Sequence, residues 1–419
     1  MTDTRKPVWI WLPDQAEPIV AGEYQLAVDG SKMLGSFHYD PSYRVMPQAI
    51  PLDQNQLSRY SGVSKTTDYE GLHDIFRDVK PEGFGLNMLQ RSKAVSSLTS
   101  LQALEFGAGD AVGAIELCDN ISEKLAFKPH SSQAMIEAMD FFDPATSSSH
   151  VVHKVAGHIS TGLGGERPKM TVFHKGQQWI AKFADGQDDP ASTLREYVCM
   201  RLARLCGIDA AEVEYVCRHE RGAILVKRFD RKLLKDGTCL RVHFASAATV
   251  LGGAAASRNN PNRTYIGLAM NAMRWGVREH TEELWRRMAF NVLVGNADDH
   301  PRNHGFLCTQ DGWKLSPAYD IAPNTPNDEH LQSPRSLSMG LRRNGDSGAN
   351  TNNLLIGAKQ LGIGYEEAND YLDSTFETLR QQWDLLAIDK GQAPLELPLF
   401  VLPPRAERIS ALDWRRVLN

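Results

Sequence analysis

The densest run of polar side chains lies between two apolar segments, at residues 296–303, and reads Asn-Ala-Asp-Asp-His-Pro-Arg-Asn. The apolar helical pattern TEELWRRMAFNVLVG precedes it, and the short apolar run GFLC follows it. Because both flanks should be buried, the core is expected to hold this loop, and loops on a rigid scaffold often carry catalytic groups. The alternative is an ordinary polar turn that ends the helix.

The spacing within this loop favours phosphoryl transfer. Asn303 follows Asp298 by five positions, which is the separation of aspartate and asparagine in the catalytic loop of protein kinases. In that chemistry a carboxylate accepts the proton of the acceptor hydroxyl, and an amide oxygen binds magnesium, a cation that prefers oxygen ligands. Asp299 is an alternative base, although it breaks the spacing.

A second magnesium-binding oxygen is expected after the loop. Asp320, in LSPAYDI, follows a short predicted strand, which is where kinases place their other metal-binding aspartate. An isolated aspartate at such a place could simply cap the strand. With Asp298 and Asn303 before it, Asp320 is predicted to bind magnesium.

Two charged residues upstream could hold the nucleotide. Lys182 ends the predicted strand WIAKF, and Glu196 lies 14 positions later on the following helix. Kinases pair a strand lysine with a helix glutamate, whereas an isolated lysine here could face solvent. Glu196 could instead complete a capping box with Thr193. A helix start at Asp189, with Pro190 next, would release the glutamate for the lysine.

A glycine-rich turn precedes this strand. It reads GLGGERPK and contains Gly162, Gly164, Gly165, Arg167 and Lys169. Glycines let backbone amides approach phosphate closely, and either basic residue could add positive charge. The run matches neither a Walker A motif nor a G-x-G-x-x-G motif, so by itself it could be an ordinary turn. Its place before Lys182 favours a loop that covers phosphate.

The elements around these residues predict an α+β protein. The first 60 residues alternate strand-like runs with turns and predict a small antiparallel meander. Two predicted hairpins flank the helix of Glu196, in the order strand, strand, helix, strand, strand. After residue 240 helical periodicity dominates, in HFASAATVLGG and in two amphipathic helices around 365–387 and 405–418. A β-rich first half and a helical second half indicate two lobes.

Composition excludes several other classes of protein. The chain has 419 residues, 42% of them hydrophobic and 23% charged, which argues against a disordered or coiled-coil protein. A net charge of −5 disfavours nucleic-acid binding driven by bulk charge. We find no apolar run long enough to span a membrane and no signal peptide. The six cysteines form no CxxC motif, which predicts reduced thiols and a cytoplasmic location.

Together these segments resemble HipA-type serine/threonine kinases, the toxins of bacterial type II toxin–antitoxin systems. The motifs that carry the resemblance are GLGGERPK (162–169), WIAKF (179–183), EYVCMRLARLCGI (196–208), VKRFDR (226–231), NADDHPRNHGF (296–306) and LSPAYDIAP (315–323). The runs FHYDPSY, AIPLDQNQL and GLHDIFRDVKPEGF resemble the extra N-terminal subdomain of that family.

The resemblance implies a two-lobed protein-kinase-like fold with an extra N-terminal β-rich subdomain and a helical C-terminal lobe. The implied boundaries are residues 1–130 for the subdomain, 131–231 for the kinase N-lobe and 232–419 for the C-lobe. ATP and Mg²⁺ would be the cofactors. Asp298 would be the catalytic base, Asn303 and Asp320 the metal ligands, and Glu196 the ion-pair partner. Residues implied to contact the nucleotide are Gly162, Gly164, Gly165, Lys169, Lys182, Lys227, Phe229 and His300.

In this resemblance Lys227 and Phe229 belong to the hinge against adenine, and His300 braces the catalytic loop. Some members of the family carry a serine at the head of the glycine-rich loop, and its autophosphorylation ejects the loop. The aligned residue here is Gly162, so possible autophosphorylation sites are Ser160 and Thr161.

The resemblance also implies partners. A small HipB-like helix-turn-helix antitoxin would bind the chain and supply most of the DNA contacts. The substrate would be a translation-related protein, such as an aminoacyl-tRNA synthetase, and its phosphorylation would arrest growth. Two other functions stay open, namely a non-enzymatic kinase-like co-repressor that binds the antitoxin, and a small-molecule phosphotransferase.

Overall fold

The computed structural model describes most of the chain. The described residues are 4–29, 32–60, 62–142, 162–184, 189–218, 221–253, 257, 260–323, 336–395 and 401–417. Ser160 and Thr161, the possible autophosphorylation sites, lie outside them. Within this part of the chain, no helix combines the length and the apolar character needed to cross a lipid bilayer.

The N-terminal region is built on a five-stranded antiparallel sheet in the order β4-β3-β2-β1-β5. Its strands are β1 (Thr4–Ile10), β2 (Ile19–Asp29), β3 (Lys32–Tyr39), β4 (Ser64–Thr66) and β5 (Ile115–Leu117). Short helices connect and flank them: α1 (Pro41–Val45), α2 (Asp74–Val79), α3 (Gly83–Ser92), α4 (Ser100–Phe106) and α5 (Ile121–Leu125). The predicted meander is confirmed, since β1 pairs with β2 and β2 with β3, both antiparallel.

A second antiparallel sheet follows, in the order β6-β7-β9-β8. Helix α6 (Ser132–Phe142) precedes it, and helix α7 (Ser192–Leu205) lies between its two hairpins. The strands are β6 (Lys169–His174), β7 (Gln177–Phe183), β8 (Val213–Arg218) and β9 (Arg221–Lys227). The predicted order of strand, strand, helix, strand, strand is confirmed.

The start of α7 differs from both alternatives predicted for it. The helix begins at Ser192, so Pro190 is not its first residue. Asp189 Oδ1 instead accepts a hydrogen bond from the Ala191 amide at 2.8 Å, just before the helix. Thr193 Oγ1 donates to the Gly222 carbonyl at 2.9 Å. No capping box therefore competes for Glu196.

The remaining chain forms a mainly helical lobe with small sheets. Its helices are α8 (Ala247–Leu251), α9 (Tyr265–Arg274), α10 (Thr281–Val294), α11 (Thr351–Gln360), α12 (Tyr365–Ile388) and α13 (Ala411–Arg416). Its strands are β10 (Arg231–Leu233), β11 (Cys239–Arg241), β12 (His243–Ser246), β13 (Gly305–Thr309) and β14 (Gly312–Leu315). The helix predicted around 365–387 is confirmed, whereas the one predicted at 405–418 is a short 3₁₀ turn followed by α13.

The segment HFASAATVLGG was wrongly predicted to be wholly helical. Its first four residues form β12, which pairs with β13 from Ser246 opposite Gly305 to His243 opposite Cys308. Only Ala247–Leu251 is helical, with Ser246 as its N-cap. Pairing with a strand about 60 residues away overrides the local helical pattern, as tertiary context often does.

Two apolar cores hold these layers together. The larger one joins β1–β3 and α2 to helices α7 and α10 and to β13. The smaller one lies under the second sheet and includes Phe84 and Met88 of α3, Met135 of α6, and Trp179 and Phe183 of β7. Since α3 belongs to the N-terminal region, that region packs against both lobes. The domain boundaries at residues 130 and 231 stay predictions.

Candidate active site

A deep cleft of about 1120 Å³ lies where the N-terminal region, the second sheet and the loops of the helical lobe meet. Its wall contains most of the residues predicted to do chemistry. Among them are Lys169, Lys182, Glu196, Asp298, Asn303 and Asp320. This volume lies slightly above the range of about 300–1,000 Å³ that is typical of small-molecule sites.

Lys182 reaches the cleft because of the alternation of β7. Trp179, Ala181 and Phe183 are buried in the smaller core, so Lys182 points to the other face. Its Nζ donates to Glu196 Oε1 at 2.7 Å. This is the ion pair expected from the sequence. Burial raises the pKa of Glu196, while the charge of Lys182 opposes that rise.

Lys182 also donates to Asp320 Oδ1, at 2.6 Å. Burial acts to lower the pKa of Lys182, but Asp320 and Glu196 outweigh it and hold that pKa above its usual range. The charge of Lys182 in turn holds the pKa of Asp320 well below its usual range. The Lys182 ammonium therefore connects helix α7, which carries Glu196, to the loop of the helical lobe that carries Asp320.

Asp320 has a strained backbone and an open side chain. Its φ of 59° lies in the left-handed region, which costs a non-glycine residue about 1 kcal/mol or more and tends to occur at functional sites. Its side chain keeps 46% of its surface accessible. A ligand in the cleft could therefore reach the carboxylate without displacing the protein around it.

The catalytic-loop candidate begins where α10 ends, at Gly295, whose φ is 75°. The two adjacent aspartates of the loop then face different environments. Asp298 is exposed to the cleft. Asp299 is buried and accepts hydrogen bonds from the Tyr265 hydroxyl and from His304 Nε2, the latter at 2.9 Å. Of the two, only Asp298 can meet a substrate.

A 3₁₀ turn over Pro301–Asn303 places the asparagine beside the aspartate. Asn303 Nδ2 donates to the Asp298 carbonyl at 3.3 Å, which directs the amide oxygen away from the loop backbone. The His300 carbonyl accepts from the Asn303 amide at 2.8 Å. His300 also lies close enough to Asp320 for its charge to help lower the pKa of that carboxyl.

The glycine-rich loop closes the other side of the cleft. Lys169 Nζ donates to the Gly164 carbonyl at 2.8 Å, and Gly165 has a φ of 107°, which favours glycine. Burial, together with the charge of Lys182, lowers the pKa of Lys169 to about 8. Lys169 and Lys182 lie opposite each other on the paired strands β6 and β7, so both ammonium groups lie at one end of the cleft. Two partly buried ammonium groups so close together could both contact an anion, although Lys182 is also paired with two carboxylates.

The hinge candidates lie at the end of β9. Lys227 Nζ pairs with Glu212 Oε2 at 3.0 Å near the surface, so its side chain is engaged away from the phosphate end. The ring of Phe229 lies against Tyr319, with centroids 5.5 Å apart. With Val226 and Leu163, which also line the cleft, it offers an apolar wall for a flat ring.

Sequence reasoning missed a set of acidic residues from the N-terminal region. Asp110 accepts hydrogen bonds from the Gly162 amide and, at 2.8 Å, from Thr171 Oγ1. Glu82 pairs with Arg302 in the catalytic loop. These contacts join residues 52 and 220 positions apart, and no local motif marks them.

Magnesium fits the donors that the site offers. Among the described residues, no group of three or more His, Cys, Asp and Glu side chains could hold a metal ion by itself. Asn303 and Asp320 supply an amide and a carboxylate oxygen. Mg²⁺ commonly takes one or two protein oxygens and completes its six ligands with phosphate and water, so a nucleotide would have to bind with it.

Comparison with known proteins agrees with this architecture. A family model described as the HipA N-terminal domain matches residues 21–118, and one described as the HipA-like C-terminal domain matches residues 161–383. The serine/threonine-protein kinase toxin HipA of Shewanella oneidensis is 24% identical over 333 residues, which is 71% of this chain and 72% of that protein. A putative kinase of Sinorhizobium fredii is 33% identical over 138 residues, 32% of each chain.

A solved structure shows the same fold over nearly the full length. It is the HipA chain of the Shewanella oneidensis complex of HipA, HipB and operator DNA, with a TM-score of 0.61 and 19% identity. The match covers 93% of this chain and 92% of that one. The predicted α+β, kinase-like fold is thereby confirmed. Since the C-terminal model alone spans more than half of the sequence, this chain belongs to the HipA family.

Proposed function

We propose that this chain is an ATP- and magnesium-dependent serine/threonine protein kinase. The observation that carries the proposal is the charge cluster in the cleft, where Lys182 bonds to both Glu196 and Asp320. These three residues come from a strand, a helix and a distant loop. Their convergence in the same cleft as an exposed Asp298 is the arrangement that phosphoryl transfer needs.

In this proposal each residue has a defined task. Lys182, steadied by Glu196, binds the nucleotide phosphates, and the backbone amides of the glycine-rich loop cover them. The purine ring lies against Phe229 at the hinge. Bound Mg²⁺, held by Asn303 and Asp320, would neutralise charge on the transferred phosphoryl group. The exposed carboxylate of Asp298 orients the acceptor hydroxyl and accepts its proton.

The test is transfer of the terminal phosphate of ATP with and without the base. We expect Asp298→Asn to lower transfer about 10²–10⁴-fold, the usual contribution of a general base, while ATP binding persists. Asp311→Asn is a matched control, because Asp311 is exposed in the turn between β13 and β14. Undiminished transfer by the Asp298 variant would refute its assigned role.

We further propose that the chain is the toxin of a HipBA-like pair in the cytoplasm. The support is the likeness to a HipA chain solved with HipB and operator DNA. A HipB-like helix-turn-helix antitoxin would bind this chain, and DNA would be contacted mainly through the antitoxin. The proposed substrate is a translation-related protein, such as an aminoacyl-tRNA synthetase.

Brief expression of the wild type and of Asp298→Asn, followed by phosphoproteomics, tests this role. We expect growth arrest and new phosphorylated sites with the wild type only. Growth arrest by both proteins would favour the non-enzymatic co-repressor instead. Phosphate found on Ser160 or Thr161 of purified wild-type protein would establish autophosphorylation, which we propose at one of these two residues.

A further inference from the structure

We infer that residues 82–84 of the N-terminal region position the two loops of the active site relative to each other, with Glu82 as the positioning residue for the catalytic loop. The inference rests on the proposed kinase function and deepens it. It gives the N-terminal region a task in catalysis in addition to packing.

The first contact reaches the catalytic loop. Both terminal nitrogens of the Arg302 guanidinium, Nη1 and Nη2, donate to the Glu82 carboxylate. Arg302 is next to Asn303, and its carbonyl accepts from the Tyr319 hydroxyl at 2.7 Å. Tyr319 in turn precedes Asp320. The Glu82 carboxylate therefore holds Arg302 and, through it, Tyr319. These two residues are the direct neighbours of the predicted metal ligands Asn303 and Asp320.

The pKa of Glu82 agrees with this role. Burial acts to raise that pKa, but the hydrogen bond and the charge of Arg302 outweigh it and leave the pKa below its usual value. Lys80 lies 3.8 Å away and adds a second positive charge. Glu82 is therefore held in its charged form at neutral pH.

The second contact reaches the glycine-rich loop. The Phe84 amide donates to the Gly165 carbonyl at 3.0 Å. Gly83, between the two contacts, has a φ of 53°. A Cβ at residue 83 would come within 2.7 Å of the same Gly165 oxygen. The backbones of the two segments are thus in direct contact, with no room for a side chain between them.

The segment is itself held on both sides. Before it, Asp78 accepts hydrogen bonds from the Ser246 amide at 2.7 Å, the Ser246 hydroxyl at 2.6 Å and the Thr249 hydroxyl at 2.7 Å. At its end, the ring of Phe84 is buried in the smaller core. Three consecutive residues on this anchored segment therefore fix the distance between the loop over the phosphates and the loop of the base.

Disrupting each of the two contacts should change the kinetics in a different way. Glu82→Gln removes the charge that holds Arg302 but leaves the backbone contact of Phe84 intact. We expect kcat to fall about 10- to 100-fold, since a misplacement of about 1 Å can cost a factor of 10². The KM for ATP should change less than about threefold, because Lys182, Phe229 and the glycine-rich loop stay in place.

Gly83→Ala should give the opposite pattern. The added Cβ must displace the Gly165 carbonyl, so the KM for ATP should rise about tenfold. Arg302 and the catalytic loop stay in place, and kcat at saturating ATP should fall less than it does in Glu82→Gln. A split between the two parameters is not what a general loss of folded protein would produce.

The matched control is Glu105→Gln. Glu105 is on α4 of the same region, with 20% of its side chain exposed against 25% for Glu82, and it pairs with Lys6 at 2.5 Å. It should leave both kinetic parameters within about twofold of wild type. Glu82→Asp, which keeps the charge, should recover part of the kcat lost in Glu82→Gln.

The outcomes separate the inference from the proposed function. If the wild type transfers no phosphate, the kinase proposal fails first. If the wild type is active and Glu82→Gln matches Glu105→Gln, only the positioning role fails. Equal changes in kcat and KM for both the Glu82 and Gly83 variants, with lowered melting temperatures and no recovery in Glu82→Asp, would also overturn it, because they would indicate a structural role.

Discussion

Two groups of acidic side chains are set in very different surroundings. In the cleft, Glu196 and Asp320 both face the ammonium of Lys182. Under the N-terminal sheet, Asp53 accepts hydrogen bonds from the backbone amides of Asn55 at 2.7 Å and Gln56 at 3.2 Å. Its other oxygen is buried and receives no hydrogen bond within the described residues.

Their pKa values follow these surroundings. The charge of Lys182 holds the pKa of Asp320 well below its usual range. Burial raises the pKa of Asp53 to about 7, and neighbouring Asp74 and Asp78 add to the rise. Burial likewise raises the pKa of Asp74 to about 6. In the cleft, Lys182 therefore favours the charged form of Asp320 and opposes the rise that burial causes in the pKa of Glu196. At Asp53, by contrast, the neighbouring carboxylates add to the effect of burial instead of offsetting it.

The largest effect is expected at the centre of the cleft group. Lys182→Met removes the charge that both carboxylates share, and we expect kcat/KM for ATP to fall about 10³-fold, because a preorganised charge on the phosphates is lost. Lys175→Met is the control, since Lys175 forms an exposed ion pair with Glu214 at the edge of the same sheet. A fall of less than tenfold in the steady-state kcat/KM for ATP would contradict the role that we assign to Lys182.

A smaller effect is expected from Glu196→Gln. The amide keeps the shape of the side chain, and Lys182 retains its bond to Asp320. The lysine therefore loses one charged partner but keeps the other. We expect kcat/KM for ATP to fall about 10- to 100-fold, less than in Lys182→Met. If Glu196→Gln is as damaging as Lys182→Met, the helix glutamate does more than steady the lysine.

The smallest effect is expected under the sheet, and it depends on pH. Because folding raises the pKa of Asp53 to about 7, the stability that this group contributes is fully present below its unfolded pKa of about 4 and is lost as pH rises through about 7. Asp53→Asn does not titrate and can still accept both backbone hydrogen bonds. As pH rises from 5 to 7, the free energy of unfolding of the variant, measured relative to that of the wild type, should therefore increase by about 1–2 kcal/mol.

Urea denaturation of both proteins at the two pH values measures this difference. Asp236→Asn is the control, since Asp236 accepts the amide hydrogen bond of Thr238 at 2.9 Å in an exposed turn of the same geometry. It should show no such gain, because its carboxylate stays in water. A constant difference between Asp53→Asn and wild type at pH 5 and 7 would show that Asp53 does not titrate in this range.

The parts of the site that the sequence predicted are those with a short, characteristic spacing. Asp298 and Asn303 share one loop, and Lys182 and Glu196 are joined by one strand and one helix. Such groups leave a local pattern, and strand alternation was sufficient to place the lysine on the open face of β7. The choice between Asp298 and Asp299 needed the structure, because the burial of Asp299 depends on Tyr265 and His304.

The parts that the sequence did not predict depend on distant segments. Strand β12 exists because it pairs with β13, and its own residues read as helical. The contact of Glu82 with Arg302 joins positions 220 residues apart, and the N-terminal region was predicted as an extra subdomain without any candidate site residue. A single sequence records which groups are present, but not which distant ones fold next to each other.

The left-handed backbone of Asp320 has a consequence for how this family can change over time. Glycine would relax the backbone there, and asparagine occupies that conformation more readily than most residues. Retaining an aspartate therefore keeps a backbone strain that the ion pair with Lys182 offsets, and such strain is typical of functional sites. In a descendant that no longer needs phosphoryl transfer and has lost the lysine at residue 182, nothing offsets the strain, and residue 320 should drift towards glycine or asparagine.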